Sequence, residues 1–519
     1  MATIERTKNA ARNIIFGMFL KIYNIAIPFL MRTAMIYLMG VQYLGLNSLF
    51  ASILSVLNLA ELGVGSAMVF SMYKPIAEDD DETICALMRL YRTYYRIIGL
   101  VIAVLGCAML PFIPRLIKSD IPAGINIYLL YLLNLGATVL SYWLFAYKNS
   151  ILTAHQRTDI ASKISMVTGT IQYAVQILVL WITRNYYLYV IIAMLTQVLS
   201  NVATAICADR LYPKFKPRGR LDRASIREIN KKIRDLFTSR LGGVIVNSVD
   251  TIVISSFLGL TALAVYQNYY FIMSSVMGIL SILYSSITAG IGNSLITESR
   301  EKNYGDLQLF TFIICCLSGF CTCCFLNLFQ PFIELWVGEE FLLPYSAVIC
   351  LTIYFFVVEV NTLLNVYKDA SGIWHEDRFR PLVTAIVNLG MNITMVQFCG
   401  IYGVILSTVL SMLFVGMPWL LNNLFTTVFS QNHLVGYLKK LALYVSINII
   451  CCAITTILCN NVQGNLWTVL LLRLLICVIL PSGLLLVLYW KTRDFSRACV
   501  LLNSMLGGRL NWFVQKVVK

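Results

Sequence analysis

The sequence predicts an all-α polytopic membrane protein of about fourteen transmembrane helices, arranged as two pseudo-symmetric six-helix lobes followed by two further C-terminal helices. Three observations predict it. Of 519 residues, 59% are hydrophobic and only 13% charged, with mean hydropathy +0.76, far outside the soluble globular range. Apolar runs long enough to cross a hydrocarbon layer recur along the whole length. A pattern is also written twice: Tyr147-Lys148 before His155 returns as Tyr367-Lys368 before His375, 220 residues on. Gly169 with Val175-Gln176 returns as Gly390 with Val396-Gln397, and Gly40 and Gly259 match at nearly the same offset. Two halves of like order imply two lobes with a cavity between them, the arrangement by which many carriers alternate access.

The first six spans, 13–38, 44–73, 93–114, 125–147, 160–183 and 187–208, make an N-lobe over 1–208. Arg6, Lys8 and Arg12 precede the first span without a small-residue cleavage site, so it reads as a retained helix. Residues 209–240 form a basic linker in which Ser225-x-x-Glu228 reads as a capping box. Ile226, Ile229, Ile233 and Leu236 follow it at helical spacing, so a short amphipathic helix is expected on the inner leaflet. Spans 241–258, 264–295, 308–332, 342–367, 380–398 and 401–428 make a C-lobe over 241–428. Spans 437–459 and 466–490 lie within an appended 429–490 segment, and a basic tail occupies 491–519.

Orientation follows from the basic residues, which cytoplasmic loops retain. Loop 209–240 holds eleven Lys and Arg, whereas the expected outer loops together hold only Arg115, Lys118 and Arg184. Both termini are therefore placed in the cytoplasm. The same rule, with contact to anionic lipid at the cytoplasmic face, accounts for the net charge of +15 without nucleic acid. Cys315, Cys316, Cys321, Cys323 and Cys324 lie in one apolar run lacking His or carboxylate, so they read as packing residues rather than a metal site. The acidic run 78–82 lacks the pattern of a calcium loop and reads as a solvated turn.

Ionisable groups inside spans are costly and therefore candidates for function. Lys21 and Arg32 lie eleven residues apart on one face of the first span, with Pro28 between them, where a bend is expected. Such a cationic ladder suits an anionic substrate; alternatively Lys21 snorkels to the inner headgroups. Glu61, beside Gly63 and Gly65, either neutralises that ladder or meets substrate. The second half carries the opposite sign, with Asp250 and Glu359 as counter-charge or coupling groups. Asn388 and Asn392 share a helical face, and Ser407 or Thr408 can bring a hydroxyl to them. With Asp250 they make either an oxygen-rich site for a hard cation or an interhelical hydrogen-bond cluster. Lys148 and Lys368 close the inner ends of equivalent spans, as cavity rim or snorkelling anchors. Arg473 faces either the interior of the appended pair or the outer headgroups.

The segment Arg32-Thr33 through Gly40-Val41-Gln42-Tyr43-Leu44-Gly45-Leu46-Asn47-Ser48-Leu49-Phe50, with Leu57-Asn58-Leu59-Ala60-Glu61-Leu62-Gly63, resembles the N-terminal signature of bacterial oligosaccharide repeat-unit flippases. The resemblance continues through Ser66-Ala67, Tyr73-Lys74-Pro75-Ile76-Ala77, Asn388 and Gly400-Ile401-Tyr402-Gly403-Val404. These are the polysaccharide transporter branch of the MATE/oligosaccharidyl-lipid/polysaccharide (MOP) exporter superfamily. The resemblance implies the MOP flippase fold and a non-enzymatic function. The implied function is transfer of polyprenyl-pyrophosphate-linked oligosaccharide from the inner to the outer leaflet of a bacterial cytoplasmic membrane, for capsule, O-antigen or exopolysaccharide. It also implies polysaccharide polymerase machinery as a partner. Arg32 matches the family's central cationic residue in span one, and Arg suits bidentate phosphate contact. Asp250, Asn388, Asn392 and Thr408 are similar to the sodium site of some lipid II flippases, although Asn392 stands where a second carboxylate is expected. Na+ or H+ is thus the implied coupling ion, and Asp250 or Glu359 the group for a proton. A MATE-type drug exporter would share the fold but favour an acidic cavity, against the Arg32 and Lys21 ladder. A membrane glycosyltransferase or polymerase would need a catalytic base in a large outer loop, and every expected outer loop is short.

Overall fold

The computed structural model describes residues 6–118 and 121–505, together with 509, 511, 512 and 514. Among these, thirteen helices are long and apolar enough to cross a membrane, and one further pair bent by 47° completes fourteen. This agrees with the all-α reading.

In chain order, α1 (Arg6–Met39), α2 (Val41–Leu57) and α3 (Val64–Ala77) are followed by α4 (Asp81–Met109), α5 (Ile127–Trp143) and α6 (Asn149–Ala154). Next come α7 (Thr158–Thr183), α8 (Tyr186–Leu211), α9 (Arg223–Leu258), α10 (Leu260–Thr297), α11 (Arg300–Val337) and α12 (Tyr345–Ser371). The chain continues through α13 (Arg380–Cys399), α14 (Ile401–Ser411), α15 (Met417–Thr427), α16 (Leu434–Asn460), α17 (Leu466–Tyr489) and α18 (Arg493–Met505). At 34 residues, α1 runs unbroken through Pro28. Its length of about 51 Å exceeds the roughly 30 Å hydrocarbon layer.

The internal repeat is visible in backbone conformation. Gly40 (φ 106°) joins α1 to α2 and Gly259 (φ 96°) joins α9 to α10, each in a region that penalises a side chain. The amide of Gly40 donates to the carbonyls of Met35 and Ile36, and that of Gly259 to those of Ile254 and Ser255. In each half two helices are therefore joined through a single glycine without a loop. Packing repeats as well: α4 lies on α5 as α11 lies on α12, α7 on α8 as α13 on α14, and α5 on α8 as α12 on α14.

Two compact units divide the chain, Met1–Ala264 and Val265–Lys519. The sequence placed the start of the second lobe at 241, yet α9 packs on α2 and α3 within the first unit. Glycine explains the closeness. A Cβ on Gly63 would lie 2.7 Å from Leu236 Cβ of α9, and one on Gly45 of α2 would run into the backbone of Leu260, where α10 begins just past α9.

The amphipathic segment expected on the inner leaflet differs too, since it is the first part of α9 and continues into the seventh span. Its N-cap is Asp222, whose carboxylate accepts from the amides of Ala224 (3.0 Å) and Ser225 (3.1 Å), while Glu228 pairs with Lys232 instead of closing a capping box. The linker is tied to α3 and α4. Arg89 donates to the Gly219 carbonyl at 2.9 Å, Tyr94 to Asn230 Oδ1 at 2.6 Å, and Lys232 stands 4.9 Å over the Phe70 ring. In the second unit α16 and α17 both pack on α11, with Asn448 Nδ2 donating to the Cys315 carbonyl at 2.9 Å.

Candidate functional site

In the first unit α1 packs against α7 and α2, carrying Lys21 and Arg32 as half-buried residues. Arg32 is within electrostatic reach of the Tyr189 phenol on α8. Tyr189 stacks on Tyr186 at 5.5 Å between centroids, and Tyr186 meets Tyr43 of α2 edge-on at 5.1 Å. A guanidinium among phenols offers charge, hydroxyls and ring faces in one place, the mixture that holds phosphate and sugar groups.

Between α2 and α3 the helix tightens over Asn58–Glu61 and resumes after Gly63, which has φ 86°. The interruption presents Glu61 to α4. There Tyr95 donates to Glu61 Oε1 at 3.0 Å and Tyr91 donates to Tyr95 at 2.7 Å. A cavity of about 490 Å³ adjoins them, bordered also by Ser66, Asn149 and Thr153. The reading that Glu61 serves the cationic ladder missed these phenols. The signal was present, because Tyr91 and Tyr95 are four residues apart on one face of the third span.

In the second unit Glu359 on α12 is buried, and Tyr284 of α10 donates to its Oε2 at 2.7 Å and to its backbone carbonyl at 2.9 Å. Asn388, Asn392, Ser407 and Thr408 are all fully buried, with Asn388 Nδ2 donating to Thr408 Oγ1 at 2.9 Å. Asn388 Oδ1 has no hydrogen-bond partner among the described residues. The cluster thus retains an oxygen able to accept from water or to meet a cation. Asp250, the fourth member of the expected ion set, is a buried residue of α9 in the first unit.

Lys148 pairs with Asp209, and Lys368 with Asp369 at 2.9 Å and Asp377 at 3.9 Å, so an anion reaching either lysine competes with a carboxylate. Two buried carboxylates escaped the sequence reading. Asp159 pairs with Arg157 at 2.9 Å and Lys163 at 3.2 Å; Asp377 holds Arg380 through Nε at 2.7 Å and Nη2 at 2.8 Å. Each follows its repeat's Tyr-Lys by one short segment, so charge pairs fix equivalent corners of the two halves. Arg473 faces the protein, its guanidinium donating to the Asn327 carbonyl of α11 at 3.4 Å. Among the described residues no cluster of His, Cys, Asp or Glu could hold a metal ion.

Residues 35–279 match the family described as polysaccharide biosynthesis protein. No curated protein matches the chain. Among solved structures, the lipid II flippase MurJ in an inward closed conformation aligns at 14% identity and TM-score 0.64, covering 92% of this chain and 98% of its own. An inward-facing multidrug resistance MATE family transporter of the MOP superfamily aligns at 16% identity and TM-score 0.61, covering 83% and 99%. A Vibrio cholerae MATE transporter aligns at 16% identity and TM-score 0.55, covering 80% and 97%. The resemblance read in the sequence is thereby borne out at the level of fold and partial sequence match: the chain shares the fold of these flippase and MATE transporter structures, and residues 35–279 match the polysaccharide biosynthesis family model.

Proposed function

We propose that this protein moves a polyprenyl-pyrophosphate-linked oligosaccharide from the inner to the outer leaflet of a bacterial cytoplasmic membrane, by alternating access. The observation that carries the reading is Arg32. It is a cation within a membrane-spanning helix, within electrostatic reach of the Tyr189 phenol, in a chain whose residues 35–279 match the polysaccharide biosynthesis family. A permanent cation at that depth is costly unless an anion repays it, and pyrophosphate takes charge-assisted bonds from guanidinium. Family and fold point to a transporter rather than an enzyme. Coupling to Na+ or H+ would run through Asp250, the buried amide and hydroxyl set of Asn388, Asn392 and Thr408, or Glu359.

The test is the leaflet on which the lipid-linked repeat unit collects when the protein is deleted. Inner-leaflet accumulation, relieved by restoring the wild type, is expected. Outer-leaflet accumulation would place the block after translocation and favour a polymerase, while no accumulation would favour export of a different cargo.

A further inference from the structure

We infer that the open cavity bordered by α2 and the turn after it, α5 and α8 is a saccharide subsite, taking an uncharged, hydroxyl-bearing ring of the transported glycan; the inference rests on the flippase reading above. The cavity measures about 370 Å³ and is lined by the carboxamides of Asn47, Asn58, Asn134 and Gln197. That volume falls within the range of roughly 300–1,000 Å³ typical of ligand sites.

The amides are underused. Asn47 makes no side-chain hydrogen bond among the described residues, and Asn58 is engaged only through Oδ1, which accepts from Tyr142 at 3.3 Å. Asn134 spends its Nδ2 on the Leu130 carbonyl at 2.8 Å, and Gln197 its Nε2 on Asn201 at 3.4 Å, each leaving an oxygen unspent. Asn47, Asn58 and Asn134 are half-buried and Gln197 is exposed, so their unspent donors and acceptors stand open to water or to a ligand.

The lining chemistry selects the ligand. No Asp, Glu, Lys or Arg borders the cavity, so it has nothing to neutralise a phosphate or a bare cation. Carboxamides supply donors and acceptors together, which matches hydroxyls that both give and accept hydrogen bonds. Ala51, Ala137 and Ala193 complete the wall and leave room that larger side chains would fill. Tyr142 also sets its ring edge-on to Tyr95 at 5.2 Å, so the amide cavity and the Glu61 cavity flank one interrupted segment of helix. A glycan of several rings would have polar contacts on both sides of that break.

The experiment measures binding to the purified full chain in nanodiscs with two probes: a polyprenyl pyrophosphate bearing the complete repeat unit, and the same lipid without sugar. Wild type is expected to bind the glycan-bearing lipid more tightly. Asn47→Leu and Gln197→Leu should each weaken that binding about tenfold and leave the sugar-free lipid unchanged. Ala193→Leu, which narrows the cavity without removing an amide, should do the same. Unchanged binding of both probes in all three variants would mean the cavity holds only water and would overturn the subsite. Equal losses for both probes would show a structural role and overturn it too. A wild type that binds neither probe would overturn the flippase reading itself, and with it this inference.

Discussion

Tyr95 donates a 3.0 Å hydrogen bond to Glu61 Oε1 and is itself the acceptor of a 2.7 Å bond from Tyr91. The relay depends on a missing side chain, since a Cβ at Gly65 would lie 3.0 Å from Tyr91 Oη and 3.2 Å from Glu61 Oε1. Tyr95→Phe removes the donor next to a carboxylate, and a bond of that kind contributes about 1.5–3 kcal/mol. The variant should unfold at lower temperature in detergent, and Gly65→Ala should lower it as well by crowding both ends of the relay. A Tyr95→Phe protein that melts with the wild type would show that Glu61 draws its stabilisation elsewhere.

Arg32→Ala should insert and fold normally while losing transport. The reasoning separates the two effects: Arg32 is a costly cation in the bilayer, so removing it does not threaten insertion, but it deletes the proposed contact to pyrophosphate. Lipid-linked repeat unit should remain on the inner leaflet in cells carrying the variant at wild-type abundance. Arg32→Lys keeps charge but loses the fork that grips two oxygens, and intermediate transport is expected. Normal flipping by Arg32→Ala would remove the main support for an anionic substrate.

The residues that were legible in the sequence share a physical cause. A charge in an apolar run is conspicuous because it is costly, which is why Arg32, Glu61, Asp250 and Glu359 could be named without coordinates. Their partners were not legible: Tyr284 reaches Glu359 from 75 residues away, and nothing in an apolar run marks which tyrosine faces a carboxylate. The repeat exposed Gly40 and Gly259 because glycine alone readily adopts their φ, and the loop-free helix junctions followed. By contrast Asn47, Asn58, Asn134 and Gln197 are separate amides on separate spans, and only folding brings them to one cavity. That the linker helix runs on into the seventh span was not legible, because its apolar positions fit a membrane surface as well as they fit neighbouring helices.

Asp377 is a keystone of the corner between α12 and α13. It accepts from Arg380 through two bonds and from Asn423 Nδ2 at 3.1 Å, while Arg380 also donates to Asn365 Oδ1 at 2.8 Å. Breaking a buried pair by removing one partner costs about 3–5 kcal/mol. Arg380→Ala should therefore reduce membrane yield and thermal stability sharply. Asp377→Asn combined with Arg380→Gln, which leaves no uncompensated charge, should recover part of the loss. If Arg380→Ala is as stable as the wild type, the corner is not held by this pair.

His155, in the corner between α6 and α7, gives the stability of the fold a pH dependence. Its ring lies 4.2 Å from Tyr212 and 5.6 Å from Phe215 between centroids, and burial pushes its pKa down while the Ile151 carbonyl opposes that shift. A folded pKa below the unfolded one, about 6.5, means that folding favours the neutral ring. The stabilisation is full above the unfolded pKa and is lost as pH falls through the lowered folded value. Melting temperature should drop on acidification below neutral, and His155→Phe should flatten that drop. An identical acid profile in the variant would assign the dependence to other groups.

Asp250→Asn should change the ion dependence of transport while leaving lipid-substrate binding largely intact. Asp250 is a buried carboxylate, and the remaining oxygen donors of the expected set, Asn388, Asn392 and Thr408, are uncharged. The carboxylate is therefore the group whose removal most weakens attraction for Na+ or H+. Transport into vesicles under imposed Na+ and pH gradients, run for wild type and variant, separates the cases. A wild type driven by one gradient and a variant indifferent to it would identify both the ion and the group. Gradient-driven transport preserved in the variant would move the coupling role to Glu359, which Tyr284 holds inside the second unit. Equal rates across every gradient in both proteins would show that substrate concentration alone drives the exchange between leaflets.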